Sequence, residues 1–323
     1  MIVHLFTLLL GTLVDRLVGD PPWAWRRVPH PVVLIGRAID WMDKRWNDPR
    51  LRSSARRWRG VGAILLLLFL AVLVGYDLHW LLMAIGPVGV LVEALIVAVL
   101  LAQKSLSVHV SDVGKALREG GLRQGRVAVS RIVGRDPEGL SESGVCRAAV
   151  ESLAENASDG VVAPWLFYLA FGLPGIFAYK VLNTADSMIG HMSERHRAFG
   201  WASARLDDLA NIVPARLTAL AFALLAPFAG GRFRDAIRVA WRDARLHRSP
   251  NAGWPEAAMA GALGLALGGP RRYGEVVVDA PELHPEGRGD AVPEDIDAAL
   301  VLLRRLSDLL IAALVLFTLG SLI

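Results

Sequence analysis

The sequence predicts an all-α integral membrane protein, a bundle of several spanning helices with helical and loop segments in the cytoplasm. Of the 323 residues, 54% are hydrophobic and only 20% are charged, with a mean hydropathy of +0.41. This composition is unusual for a soluble enzyme. Several runs also approach the ~20 apolar residues that cross a bilayer. The single cysteine, Cys146, excludes an intramolecular disulfide and a cysteine-rich metal site.

Six runs within a single membrane domain, residues 1–323, are candidate spans. The runs at 61–83 and 86–102 are the clearest because they are long and nearly free of charge. Proline interrupts 161–182 and 209–230, the second at Pro214 and Pro227, so these two are candidates for re-entrant helices that dip into the bilayer and return. The remaining candidates lie at the two ends of the chain, at residues 2–18 and 306–323.

We expect the first run to stay in the mature chain, since no basic residue precedes it and no small-x-small cleavage site follows it. Basic residues orient the chain. The stretch "RSSARRWRG" directly precedes residues 61–83, and the positive-inside rule places it in the cytoplasm. The predicted cytoplasmic segments are 19–60, 103–160 and 231–298. The sequence thus predicts a multi-pass membrane protein with these segments in the cytoplasm, and the basic pI of about 9.6 reflects topology, not nucleic-acid binding.

The stretch "ESLAENASDG" places three carboxylates and an amide just before an apolar run. If it is helical through Asn156, Glu151 and Glu155 lie one turn apart, and "SDG" ends the helix and turns Asp159 back toward them. Like charges on one face favour a bound cation. The alternative is a solvated helix end capped by Ser158 or Asp159.

A second polar cluster lies in "YKVLNTADSMIGH", where Lys180, Asn183 and Asp186 interrupt a stretch that is otherwise apolar enough for lipid. Ionisable residues inside a membrane are functional candidates by default. The alternative is a lysine that extends to the membrane surface and a helix cap.

The third cluster, "ASARLDDLANIVPARLTAL", combines Asp207 and Asp208 with Asn211. Carboxylate and amide oxygens suit a Mg²⁺ ion that carries phosphate. Arg205 and Arg216 have the planar, permanently charged side chains that clamp phosphate or carboxylate oxygens.

Two further stretches contribute candidates. "HRSPNAGWPEAAMAGALGLALGG" sets Asn251 and Glu256 at the mouth of a small-residue helix, for which tight packing is the alternative explanation. "HPVVLIG" offers His30 as a ligand for a carboxylate or phosphate, or as the cap of a proline-rich turn. Phosphate-binding loop, dinucleotide-binding, zinc-protease and nucleophile-elbow motifs do not occur in the sequence. The clusters therefore indicate a membrane-embedded site for a phosphorylated, Mg²⁺-bound substrate at the cytoplasmic face.

These blocks, together with "DRLVGDPP" near the start of the chain, resemble the CobD/CbiB family of cobalamin (vitamin B12) biosynthesis, the adenosylcobinamide-phosphate synthases. The resemblance runs through most of the chain in matching order. It implies an ATP-dependent ligase that joins the propionate carboxylate of adenosylcobyric acid to 1-amino-2-propanol phosphate or ethanolamine phosphate, through an acyl phosphate. ATP and Mg²⁺ are the implied cofactors, and the cobalt-containing corrinoid is a substrate. Other membrane-associated enzymes of cobalamin assembly are candidate partners, and nucleic acid is not.

Compared with that chemistry, the candidate residues receive three roles. The catalytic candidates are Glu151, Glu155, Asp159 and Lys180, with Glu151 or Glu155 as the base that takes the proton from the amine. The metal candidates are Asp186, Asp207 and Asp208. The binding candidates are Asn156, Asn183, Arg205, Asn211, Arg216, Asn251, Glu256 and His30.

Two other classes of function fit the same residues. Asn and Asp spaced along apolar helices also suit a Mg²⁺-dependent membrane transferase of prenyl or alcohol phosphates. Buried polar groups would equally line the pathway of a corrinoid transporter or the surface of a non-catalytic scaffold. Dependence of the reaction on ATP distinguishes the ligase from the transferase. Loss of turnover in folded Asp159→Asn or Asp208→Asn protein distinguishes the ligase from the transporter or scaffold.

Overall fold

The computed structural model describes residues 2–20, 24–26, 29–134, 136–191, 193–269, 271–273, 276–278 and 280–320. Helices dominate these residues, so the prediction of an all-α membrane protein is confirmed. The helices are α1 (Ile2–Leu17), α2 (Pro31–Trp46), α3 (Ser53–Ala84), α4 (Pro87–Leu100), α5 (Gln103–Val129), α6 (Glu142–Asn156), α7 (Ala163–Ile189), α8 (Trp201–Ala210), α9 (Ile212–Leu225), α10 (Phe233–Asp243), α11 (Gly253–Leu263) and α12 (Pro293–Gly320).

Short elements complete the described chain. A π-helix spans Ala157–Val162, and 3-10 turns span Ala24–Arg26, Ala226–Ala229 and Ala244–Leu246. The strands form two antiparallel pairs, β1 (Leu267–Gly268) with β4 (Glu282–Leu283), and β2 (Arg271–Tyr273) with β3 (Val276–Val278).

The chain divides into two compact units. The first comprises Met1–Ala102, Ala163–Asn211 and Leu314–Ile323, and the second comprises Gln103–Val162 and Ile212–Ala313. Each unit therefore combines segments that are distant in the sequence.

Four stretches among the described residues are long and apolar enough to cross a membrane: Ser53–Ala84, Pro87–Val129, Glu142–Ile189 and Ile212–Ala229. Each overlaps one of the four internal spans that the sequence predicts. Along α3, Leu65, Phe69, Val72 and Tyr76 recur at helical spacing and are all exposed. An apolar stripe of this kind suits contact with lipid. The positions of the spans in a bilayer, and the sidedness of the segments between them, stay predictions.

Helix α7 is a helical hairpin and not a straight rod. Gly172 has φ 66° and ψ −152°, and Pro174 follows it. The rings of Phe167 and Tyr179 stack with centroids 4.9 Å apart, whereas twelve residues of a straight helix would separate them by about 18 Å. Residues 163–171 and 173–189 therefore fold back on each other. The break lies where "FGLPG" predicts it, and re-entry of this hairpin into the bilayer stays a prediction.

A buried polar network in the first unit holds the tip of this hairpin. The His4 ring Nε2 lies 2.7 Å from the carbonyl oxygen of Tyr168 and 3.2 Å from that of Leu169, two groups that lose their helical partners where the helix breaks. The Tyr168 hydroxyl donates to Glu93 Oε1 at 2.6 Å, and Glu93 Oε2 lies 2.8 Å from His79 Nδ1. Glu93 is 1% exposed. These contacts tie α1, α3 and α4 to α7.

The second proline-containing run behaves differently. Pro214 lies in the first turn of α9, where a missing N–H costs nothing because that group has no helical acceptor. Pro227 lies in the 3-10 turn that follows α9. The run is interrupted at Asn211, between α8 and α9, where Pro214 cannot donate a hydrogen bond to the Ala210 carbonyl oxygen, and it is interrupted again at Pro227, after the end of α9.

In the second unit, α9, α10 and α11 pack against one another, and α6 packs against α5 and α11. A loop after β4 is fastened to α10. The backbone N–H of His284, a residue with φ 57°, donates to Asp243 Oδ2 at 2.7 Å. Burial would raise the pKa of Asp243, but the Arg242 guanidinium and the His284 N–H together hold that pKa below its ordinary value. Arg242 also pairs with Glu286, which fixes the same loop.

We predict that Gly172→Ala destabilises the first unit by about 1–3 kcal/mol, because a side chain is strained at this φ and ψ. The added methyl carbon would also lie 3.2 Å from the His4 ring. Thermal unfolding of the purified protein in detergent measures the change. Gly62→Ala, in α3, is the matched control, since the nearest atom to its methyl carbon outside the local helix backbone would be in the Trp46 ring, 3.9 Å away. Equal unfolding temperatures for the two variants would contradict the strained hairpin.

Candidate functional site

The acidic stretch that precedes α7 does not end a helix. After α6 the chain continues as a π-helix over Ala157–Val162, so the expectation that "SDG" terminates or caps the helix is wrong. A π-helical turn accommodates its extra residue without breaking the helix, and such turns frequently occur at functional sites. Ser158 lies within it and is buried, and its hydroxyl has no hydrogen-bond partner among the described residues.

The carboxylates of this stretch have different surroundings. Glu151 is buried, and its Oε1 accepts a hydrogen bond of 2.8 Å from the backbone N–H of Gly268. Glu155 and Asn156 are exposed, and Asp159 is half-buried. The Asn156 amide donates to the carbonyl oxygen of Ser152 at 2.9 Å. Glu151 therefore anchors β1, a contact with no signature in the local sequence.

Arg216 is held by the loop that precedes α11. Its guanidinium donates to the carbonyl oxygen of Ile212 and to Asn251 Oδ1, both at 2.9 Å, and lies 4.9 Å from the ring centroid of Trp254. The structure thus brings Arg216 and Asn251 together, as two of the predicted binding residues. The Arg216 guanidinium thus already donates to Asn251, a contact that the sequence did not reveal.

Glu256 lies in the first turn of α11, close to the same loop. It is buried, and its Oε1 lies 3.7 Å from His247 Nε2. A carboxylate is favourable at a helix N-terminus, where the backbone N–H groups carry partial positive charge. Gly261 explains the small residues farther along α11, because a methyl carbon there would come within 2.8 Å of Ala236 on α10. Tight packing is therefore the role of this glycine.

In the first unit, Asp207 and Asn211 form the centre of a hydrogen-bonded chain. The Tyr179 hydroxyl donates to Asn211 Oδ1 at 2.9 Å, and the Asn211 amide donates to Asp207 Oδ2 at 2.9 Å. Asp207 is 8% exposed, and its Oδ1 is buried without a hydrogen bond within the described part of the chain. The chain fixes one carboxylate oxygen and leaves the other available to a ligand.

The electrostatics of this cluster favour a cation. Burial, together with the carboxylates of Asp186 and Asp208, raises the pKa of Asp207 to about 7, against the opposing effect of the Asn211 and Asn183 side chains. Burial also raises the pKa of Asp208, although Arg205 lies 3.4 Å from its Oδ2 and lowers it. The mutual repulsion of three carboxylates would be relieved by a bound metal ion.

The fit to Mg²⁺ follows from the donor set. Over the described ranges, no three His, Cys, Asp and Glu side chains are grouped closely enough to hold a metal ion by themselves. Mg²⁺ in phosphate-transfer sites commonly takes only one or two protein carboxylates, with phosphate and water oxygens completing its shell. The free Oδ1 of Asp207 fits that role. The assignment of Asp186, Asp207 and Asp208 as metal ligands stays a prediction.

Lys180 is 9% exposed and lies within electrostatic reach of Asp15 and Asp20. Asp15 is buried on α1. Neither aspartate was among the candidate residues. Their signal in the sequence was "DRLVGDPP", in which both follow directly on the first apolar run. The pairing indicates that the beginning of the chain belongs to the candidate site.

His30 is the N-cap of α2, and its Nδ1 accepts a hydrogen bond from the Val32 N–H at 3.2 Å. The capped proline-rich turn, given above as the alternative explanation of His30, is therefore present. The other ring nitrogen, Nε2, lies 3.6 Å from Asp20 Oδ2. One ring nitrogen of His30 thus caps α2, and the other lies near Asp20.

The predicted site residues fall into two groups. The first unit holds His30, Lys180, Asn183, Asp186, Arg205, Asp207, Asp208 and Asn211. The second holds Glu151, Glu155, Asn156, Asp159, Arg216, Asn251 and Glu256. That both groups act on one substrate stays a prediction.

Comparison with known proteins identifies close relatives along nearly the whole chain. The family model described as "CobD/Cbib protein" matches residues 8–303. A protein of Sinorhizobium sp, named "Cobalamin biosynthesis protein CobD", is 58% identical over 298 residues, 92% of each chain. Proteins of the same name from Brucella suis and Rhodobacter capsulatus are 55% and 48% identical and cover 94% and 90% of this chain, and 93% and 90% of their own. No solved structure matches the chain.

We predict that Asp207→Asn stabilises the metal-free protein by more at about pH 8 than at about pH 5. The carboxyl binds its proton more tightly in the folded chain, with a pKa of about 7, than in the unfolded chain, where the ordinary value is 3.8. Its contribution to stability is therefore fully present below the unfolded value and is lost as the pH rises toward 7. We expect a gain of at least about 1 kcal/mol at pH 8, from thermal unfolding with a chelator present.

Asp40→Asn is the control for this measurement, because Asp40 is an exposed aspartate of the same unit that pairs with Lys44 at 2.6 Å. It should show the pH dependence of the wild-type protein. If Asp207→Asn also shows the pH dependence of the wild-type protein, the pKa of Asp207 is not raised in the folded chain.

Proposed function

The chain belongs to the CobD/CbiB family, and from that premise we propose that it is an adenosylcobinamide-phosphate synthase of cobalamin biosynthesis. It would join the propionate carboxylate of adenosylcobyric acid to the amine of 1-amino-2-propanol phosphate or ethanolamine phosphate. The observation that carries this proposal is the high identity, along nearly the full length of both chains, to proteins named for cobalamin biosynthesis. The membrane-spanning helices and the buried polar clusters agree with it.

The reaction requires activation of the carboxylate, because a carboxylate oxygen is too poor a leaving group for direct attack by an amine. ATP would supply a phosphoryl group to the propionate, giving an acyl phosphate and ADP, from which the amine displaces inorganic phosphate to form the amide. One proton leaves the ammonium group before the attack and passes to a base. Bound Mg²⁺ would neutralise charge on the triphosphate.

We assign the metal ion, and the residues that orient its carboxylate ligand, to the first unit. Asp207 presents a buried oxygen without a hydrogen bond, and Asp186 and Asp208 add negative charge beside it. Asn211 and Tyr179 hold the Asp207 carboxylate in one orientation. Fixed oxygen ligands reduce the reorganisation needed when a metal–phosphate complex binds.

The phosphate groups require positive charge. Lys180 is a buried ammonium on α7, and Arg205 lies one turn from Asp208 on α8. In the second unit, Arg216 is fixed in place by Asn251 and Trp254. We propose that these three side chains bind phosphate oxygens, with Arg216 positioned by its protein contacts.

The base belongs to the carboxylates around the π-helix. Glu155 is exposed and therefore accessible to an amine, and Asp159 is half-buried. Glu151 accepts a hydrogen bond from the Gly268 N–H, so we propose that it acts by positioning the loop at β1. We propose Glu155 as the base and Asp159 as its neighbour in the site.

The site would face the cytoplasm, where ATP is available, with the chain in the cytoplasmic membrane. The arginine-rich segments beside the spans support this orientation through the positive-inside rule. Adenosylcobyric acid and the amino-alcohol phosphate would reach the site from the same side. Other membrane-associated enzymes of cobalamin assembly are the proposed protein partners.

We predict that purified protein in nanodiscs converts adenosylcobyric acid and 1-amino-2-propanol phosphate to adenosylcobinamide phosphate only with ATP and Mg²⁺, releasing one ADP per amide. Asp207→Asn should lower kcat by about a hundredfold, because it removes a charge aimed at the metal–phosphate complex. Chromatography of corrinoids and a coupled ADP assay measure both. Asp40→Asn should retain full activity.

Two outcomes would contradict this function. Amide formation without ATP would exclude the ligase, and turnover of a prenyl or alcohol phosphate would favour the transferase. Full wild-type activity of a well-folded Asp207→Asn protein would remove Asp207 from the site.

A further inference from the structure

Five polar side chains meet in the first unit between the end of α1, the beginning of α2 and α7. We call them the Lys180 cluster: Asp15, Asp20, Trp25, His30 and Lys180. Lys180 lies within electrostatic reach of both aspartates. His30 Nε2 lies 3.6 Å from Asp20 Oδ2, and the Trp25 and His30 rings meet edge to face with centroids 4.5 Å apart. The fold alone does not account for this concentration of charge.

The position of the proton on the neutral His30 ring follows from its role as a helix cap. Its Nδ1 accepts the hydrogen bond of the Val32 N–H, so in the neutral ring the proton resides on Nε2. That Nε2 is buried and has no hydrogen-bond partner in the described chain. Its distance from Asp20, 3.6 Å, exceeds that of a normal hydrogen bond. His30 therefore presents a donor that is not used by the protein.

Trp25 presents a second unused donor beside it. Its indole Nε1 is buried and also lacks an acceptor among the described side chains and backbone. An indole nitrogen can only donate. With the ammonium group of Lys180, the cluster contains three donor groups, which suit a ligand rich in acceptor oxygens. The N-terminus of α2, which begins at Pro31 directly after His30, adds favourable potential for an anion.

Asp20 also needs a hydrogen-bond donor. Its Oδ1 is buried without a hydrogen bond in the described residues. Leaving a buried acceptor without a donor costs free energy. A ligand that carries a cationic donor beside its acceptor oxygens would supply this missing bond and would also accept from His30 and Trp25.

We propose that the Lys180 cluster binds the amino-alcohol phosphate, with its phosphate on His30, Trp25 and Lys180 and its ammonium group on Asp20. This inference rests on the function proposed above and assigns that substrate to named side chains. The ligand is a short zwitterion, and the cluster has the complementary distribution of donors and carboxylates.

The same charges disfavour the other two substrates. A nucleoside triphosphate would place its negative charge against the carboxylates of Asp15 and Asp20, which repel it, and it carries no cationic donor for Asp20 Oδ1. The propionate of the corrinoid is an anion without an ammonium group, so it would leave Asp20 uncompensated. The triphosphate therefore belongs with the metal candidates around Asp207, and the zwitterion belongs with the Lys180 cluster.

Isothermal titration of the purified protein in nanodiscs tests this assignment with three probes: ethanolamine phosphate, ethyl phosphate, which lacks the ammonium group, and ethanolamine, which lacks the phosphate. We expect ethanolamine phosphate to bind at least about tenfold more tightly than either of the others, since each lacks one charge-assisted contact. Absence of binding, or equal affinity for ethyl phosphate, would overturn the proposal.

Three nearly isosteric variants separate the two ends of the ligand. Asp20→Asn should weaken the binding of ethanolamine phosphate by about tenfold and leave the affinity for ethyl phosphate unchanged. His30→Asn retains an acceptor for the Val32 N–H but loses the Nε2 donor, and Trp25→Phe loses the indole donor. Both variants should weaken the binding of ethanolamine phosphate and of ethyl phosphate by the same factor. Asp40→Asn, on the exposed face of α2, is the control and should leave every affinity unchanged.

The thermal unfolding temperature of each variant separates lost binding from lost folding. If Asp20→Asn weakens both phosphates equally in a folded protein, the carboxylate does not bind the ammonium group and the proposal is wrong. Turnover distinguishes this failure from failure of the proposed function. A wild-type KM for the amino-alcohol phosphate in Asp20→Asn refutes only the cluster, whereas absence of amide product despite the expected binding pattern refutes only the ligase.

Discussion

Compensation of buried charge is the constraint on which the rest of this protein depends. Apolar helices offer no water to a carboxylate or an ammonium group, so each such group needs a partner from the protein or from a ligand. Glu93 has its partners in Tyr168 and His79. Among the residues that the structure describes, Asp207 has a hydrogen-bond partner for one oxygen only. This difference separates a carboxylate that holds helices together from one that is available to a metal–phosphate complex.

The hairpin of α7 links that constraint to the fold. At Gly172 the helix turns back. The carbonyl oxygens of Tyr168 and Leu169, which lose their helical partners there, lie close to the His4 ring nitrogen. The second arm of the hairpin then carries Lys180, Asn183 and Asp186 in succession along the first unit. A straight helix would spread the same side chains along its length without bringing Tyr179 beside Phe167. The break therefore contributes to the position of the polar residues that follow it.

Much of this arrangement was accessible from sequence, and the remainder was inaccessible for physical reasons. "FGLPG" predicts the break because glycine and proline act on the local backbone. The π-helix at Ala157–Val162 was missed, since "SDG" is equally compatible with a helix end. Glu93 could have been recognised as the lone carboxylate of an apolar run, but its contact with Tyr168 spans 75 residues and has no local signature. The nearness of Asp15 and Asp20 to Lys180 is equally long-range.

The central claim is that the first unit binds two phosphorylated substrates at separate polar clusters, the nucleotide at Asp207 and the amino-alcohol phosphate at Lys180. An electron cryo-microscopy map of the protein in nanodiscs, with a non-hydrolysable ATP analogue, Mg²⁺ and ethanolamine phosphate, tests it most directly. The account predicts metal density against Asp207 Oδ1 and a phosphate against His30 Nε2, with the ammonium group at Asp20. Nucleotide phosphates on Lys180 and His30, or metal density away from Asp207, would contradict it.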